Sequence, residues 1–361
     1  MPVYIDLLVE NRLLLGKEEY KRERMDLSMR ADLLKRCELL VQNTIAIKSA
    51  FKWENSYTYP LCAEMFTEKN AHADAGRMKY CMDVLKNNTG VFSNFRGTIK
   101  LAIVSKLAIM RNMEQKLQDM LAVYKGLNKY FRKSEYLALT ASIIVETTDP
   151  LQYDEIIYRT HEIYTEMKQE HPFLTSDEDT VFAALLAASK LEAAHIENEM
   201  EACYAILKPQ FFYGNAVQSL SHVLAMGEDS AEVKCSKFMA LLENLENRGC
   251  KYSKGYELPA LGPFAILNAD MDAVAGEIAE VNLYLKDKSG FGNMSIGTKQ
   301  RLMHAGVLVL NDVVSYVTAQ SQTAAQTAAI NSVIALVVAQ QAAVCAAVTA
   351  CAAASVNSSN G

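Results

Sequence analysis

The sequence predicts an all-α fold of about seven helical hairpins, arranged as a curved solenoid or as a closed α/α ring. A small residue, a short apolar helix and an Asn or Asp fifteen positions later recur along the chain with a period of about 40 residues. Apolar positions follow helical spacing, and strand-like alternation is sustained nowhere. One hairpin of this length cannot bury its apolar face alone, so neighbouring hairpins must stack.

A small residue marks the expected start of the second helix in each hairpin. The six positions are Gly97, Ser134, Ser176, Gly214, Gly255 and Gly297, and the positions fifteen residues later are Asn112, Asp149, Leu191, Asp229, Asp270 and Asp312. Gly, Ser, Asn and Asp suit helix boundaries because they tolerate turn conformations or cap free backbone N–H groups. We therefore expect each Asn or Asp to begin the next helix.

The hairpins form one expected domain over residues 1–312. The residue pattern predicts a short amphipathic helix over residues 3–15. It also predicts a degenerate first hairpin over residues 28–70, as is usual at the end of a repeat array. Six clearer hairpins follow over residues 74–312. Pro259 and Pro263 fall inside an expected second helix and should kink or shorten it.

The remaining segment, residues 313–361, contains no charged residue and is rich in Ala and Val. Residues 328–354 are long enough to span a bilayer. They are rich in Ala rather than Leu, contain Asn331, Gln340 and Gln341, and lack flanking Lys or Arg, so membrane insertion would be marginal. We favour a helix that packs on the array or on a second copy of the chain, as in a homo-oligomer, followed by a disordered end.

Composition narrows the class of protein. The net charge of −6 argues against a nucleic-acid partner, which calls for a basic surface. The eight cysteines show no CxxC spacing and are expected to be reduced thiols packed as small apolar side chains. Asp6, Glu10 and Arg12 interrupt the apolar stretch at the N-terminus, which therefore does not read as a signal peptide. The expected location is the cytoplasm.

Several segments together resemble a bacterial family catalogued as domain of unknown function 4003. They are FKWEN, LCAEMFTEKN, NTGVFSNFRG, SEYLALTAS, MKQEHPFLTSDEDTVFAALLA, NAVQSLSHVLA, KYSKGYELPALG and KDKSGFG. The resemblance runs from about Leu7 into the C-terminal segment. It implies a bacterial, cytoplasmic protein, and it implies no activity, cofactor or site residue.

Polar residues near the starts of the second helices are candidates for ligand binding, because a regular repeat places these helix starts at one edge of the array. The candidates are Asn215, Gln218, His222, Arg301 and His304. The first three lie at i, i+3 and i+7, which makes one stripe on a helix. Such a stripe fits either a solvated helix face or a ligand groove. No metal-binding or cofactor motif occurs, so we predict neither a metal nor a cofactor.

Acidic residues with a histidine suggest an enzyme as the alternative. Glu178 with Asp179 could supply one half of a carboxylate pair for acid–base chemistry, and Glu257 and His222 could converge with them inside a ring. Acidic residues in the first turn of a helix are also what the helix dipole favours. Because no catalytic motif of known mechanics is present, the sequence favours a non-enzymatic binding or scaffold protein with a protein or peptide partner over a hydrolase.

The two functions predict different placements of the candidates. If Asn215, His222, Glu257 and His304 line one deep pocket, the enzyme gains support. If these residues are spread apart, and aromatic residues such as Phe92 and Tyr213 are exposed beside them, the binding protein gains support.

Overall fold

A computed structural model describes residues 29–320 except Lys190, Ser253, Tyr256 and Asn268, with side chains described as far as residue 314. The predicted helix at residues 3–15 and the predicted C-terminal helix at residues 328–354 lie outside the described residues. The described part contains fourteen α-helices and no β-strand, which confirms the all-α class.

The helices follow one another with short connections. They are α1 (Ala31–Ala50), α2 (Thr58–Glu68), α3 (Ala75–Asn88), α4 (Lys100–Ile109), α5 (Met113–Leu127), α6 (Glu135–Thr147), α7 (Tyr153–Glu170), α8 (Asp179–Ala188), α9 (Ala193–Leu207), α10 (Gly214–Leu224), α11 (Ala231–Asn247), α12 (Gly262–Ile266), α13 (Met271–Leu285) and α14 (Gly297–Gln320). Each odd-numbered helix and the helix after it form a pair.

The two helices of a pair are buried to very different extents. The first helix is amphipathic: α5 buries five residues, from Met113 to Leu127, at helical spacing and exposes the opposite face. The second helix is buried on all sides: every residue of α6 from Leu137 to Val145 is buried. A helix that is apolar all round belongs to the interior. The second helices therefore form an inner layer, and the first helices cover it.

Consecutive pairs pack side by side. In the inner layer α2 contacts α4, α6 contacts α8, and α8 contacts α10; in the outer layer α5 contacts α7 and α9 contacts α11. The last pair also contacts the first, because α14 packs on α1 and α2, and α13 packs on α1. His304 Nδ1 lies 2.7 Å from Glu64 Oε1, and Arg30 Nη2 lies 2.5 Å from Asp312 Oδ2. These contacts join the two ends of the described chain.

Several helix ends lie where the spacing of small and acidic residues places them. Ser134 is the N-cap of α6, and its side chain accepts a hydrogen bond from the Leu137 N–H. The Asp270 carboxylate accepts hydrogen bonds from the backbone N–H groups that open α13. Asp312 behaves differently. It lies inside α14, where it pairs with Arg30 and Arg36 instead of opening another helix.

The two prolines shorten a second helix, as the sequence predicts. Residues Leu258–Leu261 form a 3₁₀ turn, and α12 has only five residues. Proline lacks a backbone N–H and is tolerated only in the first turn of a helix. Pro259 and Pro263 each occupy such a position, so the segment breaks into two short pieces.

Candidate functional site

The segments that connect the first helix of each pair to the second lie at one end of their pair, because the two helices of a pair pack on each other. Together these segments are here called the connecting edge. The segments are 51–57, 89–99, 128–134, 171–178, 208–213, 248–261 and 286–296. Contacts between neighbouring pairs run along this edge: Ser56 to Ser295, Glu54 to Lys100, Thr98 to Glu135, Thr175 to Gln218, and Phe211 to Lys254. Gly97 belongs to this row of contacts, since a Cβ there would collide with the Glu135 carboxylate.

A groove of about 1330 Å³ opens on the connecting edge between segments 208–213 and 248–261. Its wall is apolar and aromatic, and charged side chains of both signs surround it. The lining includes Phe212, Tyr213, Asn215, Met239, Leu242, Glu243, Glu246, Lys251, Lys254, Glu257 and Lys299. The Phe212 and Tyr213 side chains are 87% and 59% exposed. Mostly apolar grooves with a few placed polar groups are typical ligand sites.

The groove is held by a buried aromatic base. Phe211, next to the two exposed rings, is buried, and its ring centroid lies 6.4 Å from that of Phe238 in α11. Lys254 Nζ lies over the same ring, 5.8 Å from its centre. One aromatic residue thus anchors segment 208–213 while its two neighbours are left outside.

Two of the sequence candidates line this groove. Asn215 is half-buried in the first turn of α10. Glu257 is buried, and its backbone carbonyl accepts a hydrogen bond of 3.0 Å from the Tyr252 hydroxyl. None of the other sequence candidates is among the described residues that line the groove.

Gln218 and His222, the other members of the polar stripe on α10, face the interior. Gln218 Nε2 donates to Thr175 Oγ1 at 2.9 Å, and both residues are buried. The His222 ring packs 5.6 Å from the Phe182 ring. The stripe is therefore a contact between α10 and the preceding pair of helices, because α10 is buried on all sides, and it is not a solvated face.

Asp179 and His222 lie close together in this interior. His222 Nδ1 is 3.7 Å from Asp179 Oδ1, which is beyond hydrogen-bonding distance. Burial raises the pKa of the Asp179 carboxyl to about 7 and lowers the pKa of the His222 imidazole to about 3. Asp179 Oδ2 accepts a hydrogen bond of 2.8 Å from the Ser176 backbone N–H, in the turn that leads into α8.

Glu178 stands beside Asp179 but outside the pair. It is half-buried at the N-cap of α8, makes no side-chain capping hydrogen bond there, and burial raises its pKa. The two neighbouring carboxyls therefore occupy different environments.

Arg301 and His304 lie in the interior next to other helices. Arg301 donates to Asn282 Oδ1, to the Phe291 carbonyl and to Asn293 Oδ1 at 3.0 to 3.2 Å, which ties α14 to α13 and to segment 286–296. The His304 ring contacts Glu64 in α2, and burial raises the pKa of this carboxyl. Neither residue lines the groove, so the candidates do not converge on one site.

Sequence reasoning missed the buried charges and most of the exposed aromatic residues. Lys234 is fully buried, with Nζ 2.6 Å from Glu199 Oε2 and 3.0 Å from the Gly227 carbonyl, and nothing in its spacing distinguishes it from a surface lysine. Trp53, Phe92 and Phe173 are 97%, 99% and 98% exposed on the connecting edge. Of these, the sequence analysis names only Phe92, as an aromatic whose exposure would support a binding protein. The recurrence of aromatic residues near the small residues was the available signal.

The described residues contain no cluster of three or more His, Cys, Asp or Glu side chains suited to a metal ion. Within the same residues, no helix is long and apolar enough to cross a membrane.

These features define an all-α protein with a buried inner layer of helices and an amphipathic groove on one edge. The chain belongs to the family described as "Protein of unknown function (DUF4003)", whose model matches residues 44–342. It is similar to YeaA of Bacillus subtilis (strain 168), described as an uncharacterized protein, with 24% identity over 229 residues, which cover 61% of this chain and 69% of the relative. No solved structure matches the chain.

Proposed function

We propose that the protein is a non-enzymatic binding or scaffold protein. It holds a peptide segment of a partner protein in the groove at the connecting edge. We also propose that the seven helix pairs close into a ring. The observation that carries the binding proposal is the groove itself, with Phe212 and Tyr213 exposed at its wall. Exposed aromatic residues beside a concave surface are typical anchors of protein interfaces.

Contacts between the ends of the chain support the ring. The pairs α13–α14 and α1–α2 meet in both layers, through α13 on α1 and α14 on α2. In an open solenoid the terminal pairs would have only one neighbour each. The Glu64–His304 contact of 2.7 Å joins residues 240 positions apart and fits a closed arrangement.

An acid–base hydrolase has less support. Its candidate groups are divided among separate places: Glu257 at the groove, the Asp179–His222 pair in the interior, and His304 beside Glu64. Acid–base catalysis requires such groups within hydrogen-bonding reach of one substrate. Their separation favours structural roles.

The groove fits an amphipathic peptide. Apolar side chains of α11, among them Met239 and Leu242, line the groove together with Phe212 and Tyr213. Exposed charges of both signs surround these walls, so charged groups on both sides of an apolar stretch would be accommodated. We also propose that the protein works in the cytoplasm with reduced thiols.

A peptide selection tests the groove. Peptides selected for binding from a displayed library are expected to lose at least about tenfold in affinity on Tyr213→Ser or Phe212→Ser, because each change removes an aromatic anchor. Tyr158→Ser is the matched control, since Tyr158 is 53% exposed on α7 and does not line the groove. Selected peptides that bind the Tyr213 and Tyr158 variants equally well would place the peptide site elsewhere.

A further inference from the structure

The connecting edge carries aromatic side chains that are almost fully exposed. Trp53, Phe92, Phe173 and Phe212 belong to four different connecting segments and are 87–99% exposed. Met294, in a fifth segment, is also exposed. Large aromatic residues normally bury most of their surface. Their repeated exposure at one edge therefore indicates a surface that is covered in use.

The same edge is basic, although the protein is acidic. The seven connecting segments contain eleven Lys and Arg against five Asp and Glu, a net charge of +6, in a chain whose net charge is −6. The segments at the opposite edge are 69–74, 110–112, 148–152, 189–192, 225–230 and 267–270. They contain three Lys and Arg against six Asp and Glu, a net charge of −3. Positive charge thus accompanies the exposed aromatic residues.

We propose that the connecting edge docks flat on the surface of an anionic lipid bilayer. Trp and Phe partition into the interface between water and hydrocarbon, while Lys and Arg are attracted to anionic headgroups. The combination of both residue types on one edge is complementary to such a surface in polarity and in charge.

The distribution of the aromatic residues favours a bilayer over a protein partner. If the helix pairs close into the ring proposed above, the four aromatic segments lie around its rim, and the surface that meets all of them together is a plane. A peptide in the groove reaches only Phe212 and its neighbours. Docking would hold the molecule peripherally, and none of its described helices needs to cross the membrane.

The chain provides its own probe, because Trp53 is its single tryptophan and lies on the connecting edge. We expect its fluorescence to shift to shorter wavelength when the full chain is mixed with vesicles of phosphatidylcholine containing phosphatidylglycerol. With vesicles of phosphatidylcholine alone we expect little shift. Added salt should weaken the effect, because it screens exposed charges.

Variants locate the contact. Phe92→Ser combined with Phe173→Ser should weaken cosedimentation with the anionic vesicles by at least about tenfold, because two interfacial anchors are lost. Leu151→Ser is the matched control: Leu151 is 95% exposed, but it lies in segment 148–152 at the opposite edge. Reversing the charge of Arg132 and Lys133 should weaken binding, whereas reversing Arg111 at the opposite edge should not.

Several outcomes would overturn the proposal. Vesicle binding without a change in Trp53 emission would place the contact elsewhere, for instance in residues 328–354. Equal binding to anionic vesicles and to vesicles of phosphatidylcholine alone would show that the basic segments do not contribute to binding. If the protein bound no vesicles, and the double Phe92 and Phe173 variant lost a protein partner that the wild type holds, this edge would be a protein interface. Because Phe212 and Tyr213 are intact in that variant, the groove proposal is tested separately.

Discussion

Some ionisable side chains are buried in the interior of this protein, where they serve packing. His222 is buried against Phe182 with Nδ1 lacking a hydrogen-bond partner among the described residues, and the neighbouring Asp179 carboxylate accepts a hydrogen bond from the Ser176 backbone N–H. Burial, which disfavours the charged form of each group, is the largest cause of both pKa shifts. The neutral imidazole is therefore the form that the fold accommodates.

Stability should depend on pH through His222. Its pKa falls from 6.5 to about 3 on folding, so between these values the unfolded chain binds a proton that the folded chain does not. This contribution to stability is present above about pH 6.5 and is lost as the pH falls, by about 1.4 kcal/mol per unit. Against wild type, His222→Leu is expected to gain in relative stability as the pH falls, as measured by urea unfolding.

The comparison with His222→Leu isolates the histidine. Asp179 is present in both proteins, and its raised pKa, which favours the folded state at low pH, contributes to both unfolding curves. His195→Leu is the control, because His195 is exposed. A difference between wild type and His222→Leu that stays constant with pH would contradict the prediction.

The helices are the elements that sequence patterns described best. Small and acidic residues located the N-caps at Ser134 and Asp270, because capping is local chemistry between a side chain and the next three residues. The same rule failed at Asp312, where α14 continues and distant Arg30 and Arg36 supply the partners. A partner 282 positions away leaves no trace in local spacing.

The candidate site was harder to predict for the same reason. Spacing placed Gln218 and His222 correctly on one helical stripe with Asn215, but whether that stripe meets water or another helix depends on how pairs stack. The groove depends on where segments 208–213 and 248–261 meet, and these are loops without a periodic pattern. Their aromatic residues were visible in the sequence, and their exposure was not.

The cap of α6 provides a test at this scale. Ser134→Ala removes the acceptor for the Leu137 N–H, a hydrogen bond of 3.1 Å, and should lower the free energy of unfolding by about 1 kcal/mol. Ser134→Asp should restore most of the loss, because Asp also caps well and its charge suits a helix N-terminus. Urea unfolding of the three proteins checks this. An unchanged midpoint in Ser134→Ala would show that the cap does not limit stability.

At the scale of the whole molecule, the main feature is the contact between the first and the last helix pairs of the described chain. The interior contact between Glu64 and His304 joins the first and the last inner helix, and Arg30, just before α1, bridges Glu277 of α13 and Asp312 of α14. If these contacts close a ring, every helix pair has two neighbours. Loss of the contact between the first and the last pair would then destabilise both pairs.

His304→Leu tests this junction. The change leaves the buried Glu64 without its partner, so we expect a loss of about 3 kcal/mol in the free energy of unfolding. Hydrogen exchange should speed up in both α2 and α14. His171→Leu, which removes a more exposed pair with Glu201, is the control and should act only near α7 and α9. Faster exchange in α14 alone would favour an open solenoid.

If the two sets of connecting segments lie at opposite edges, as in the proposed ring, their opposite net charges give the molecule an electric dipole moment directed from one edge to the other. A freely tumbling molecule with such a moment is turned by the field of a charged body before the two touch, within about one Debye length, roughly 8 Å at physiological salt. Near a negatively charged body, the basic edge would turn towards it. Two copies brought together at low salt would align head to tail, with the acidic edge of one molecule facing the basic edge of the next.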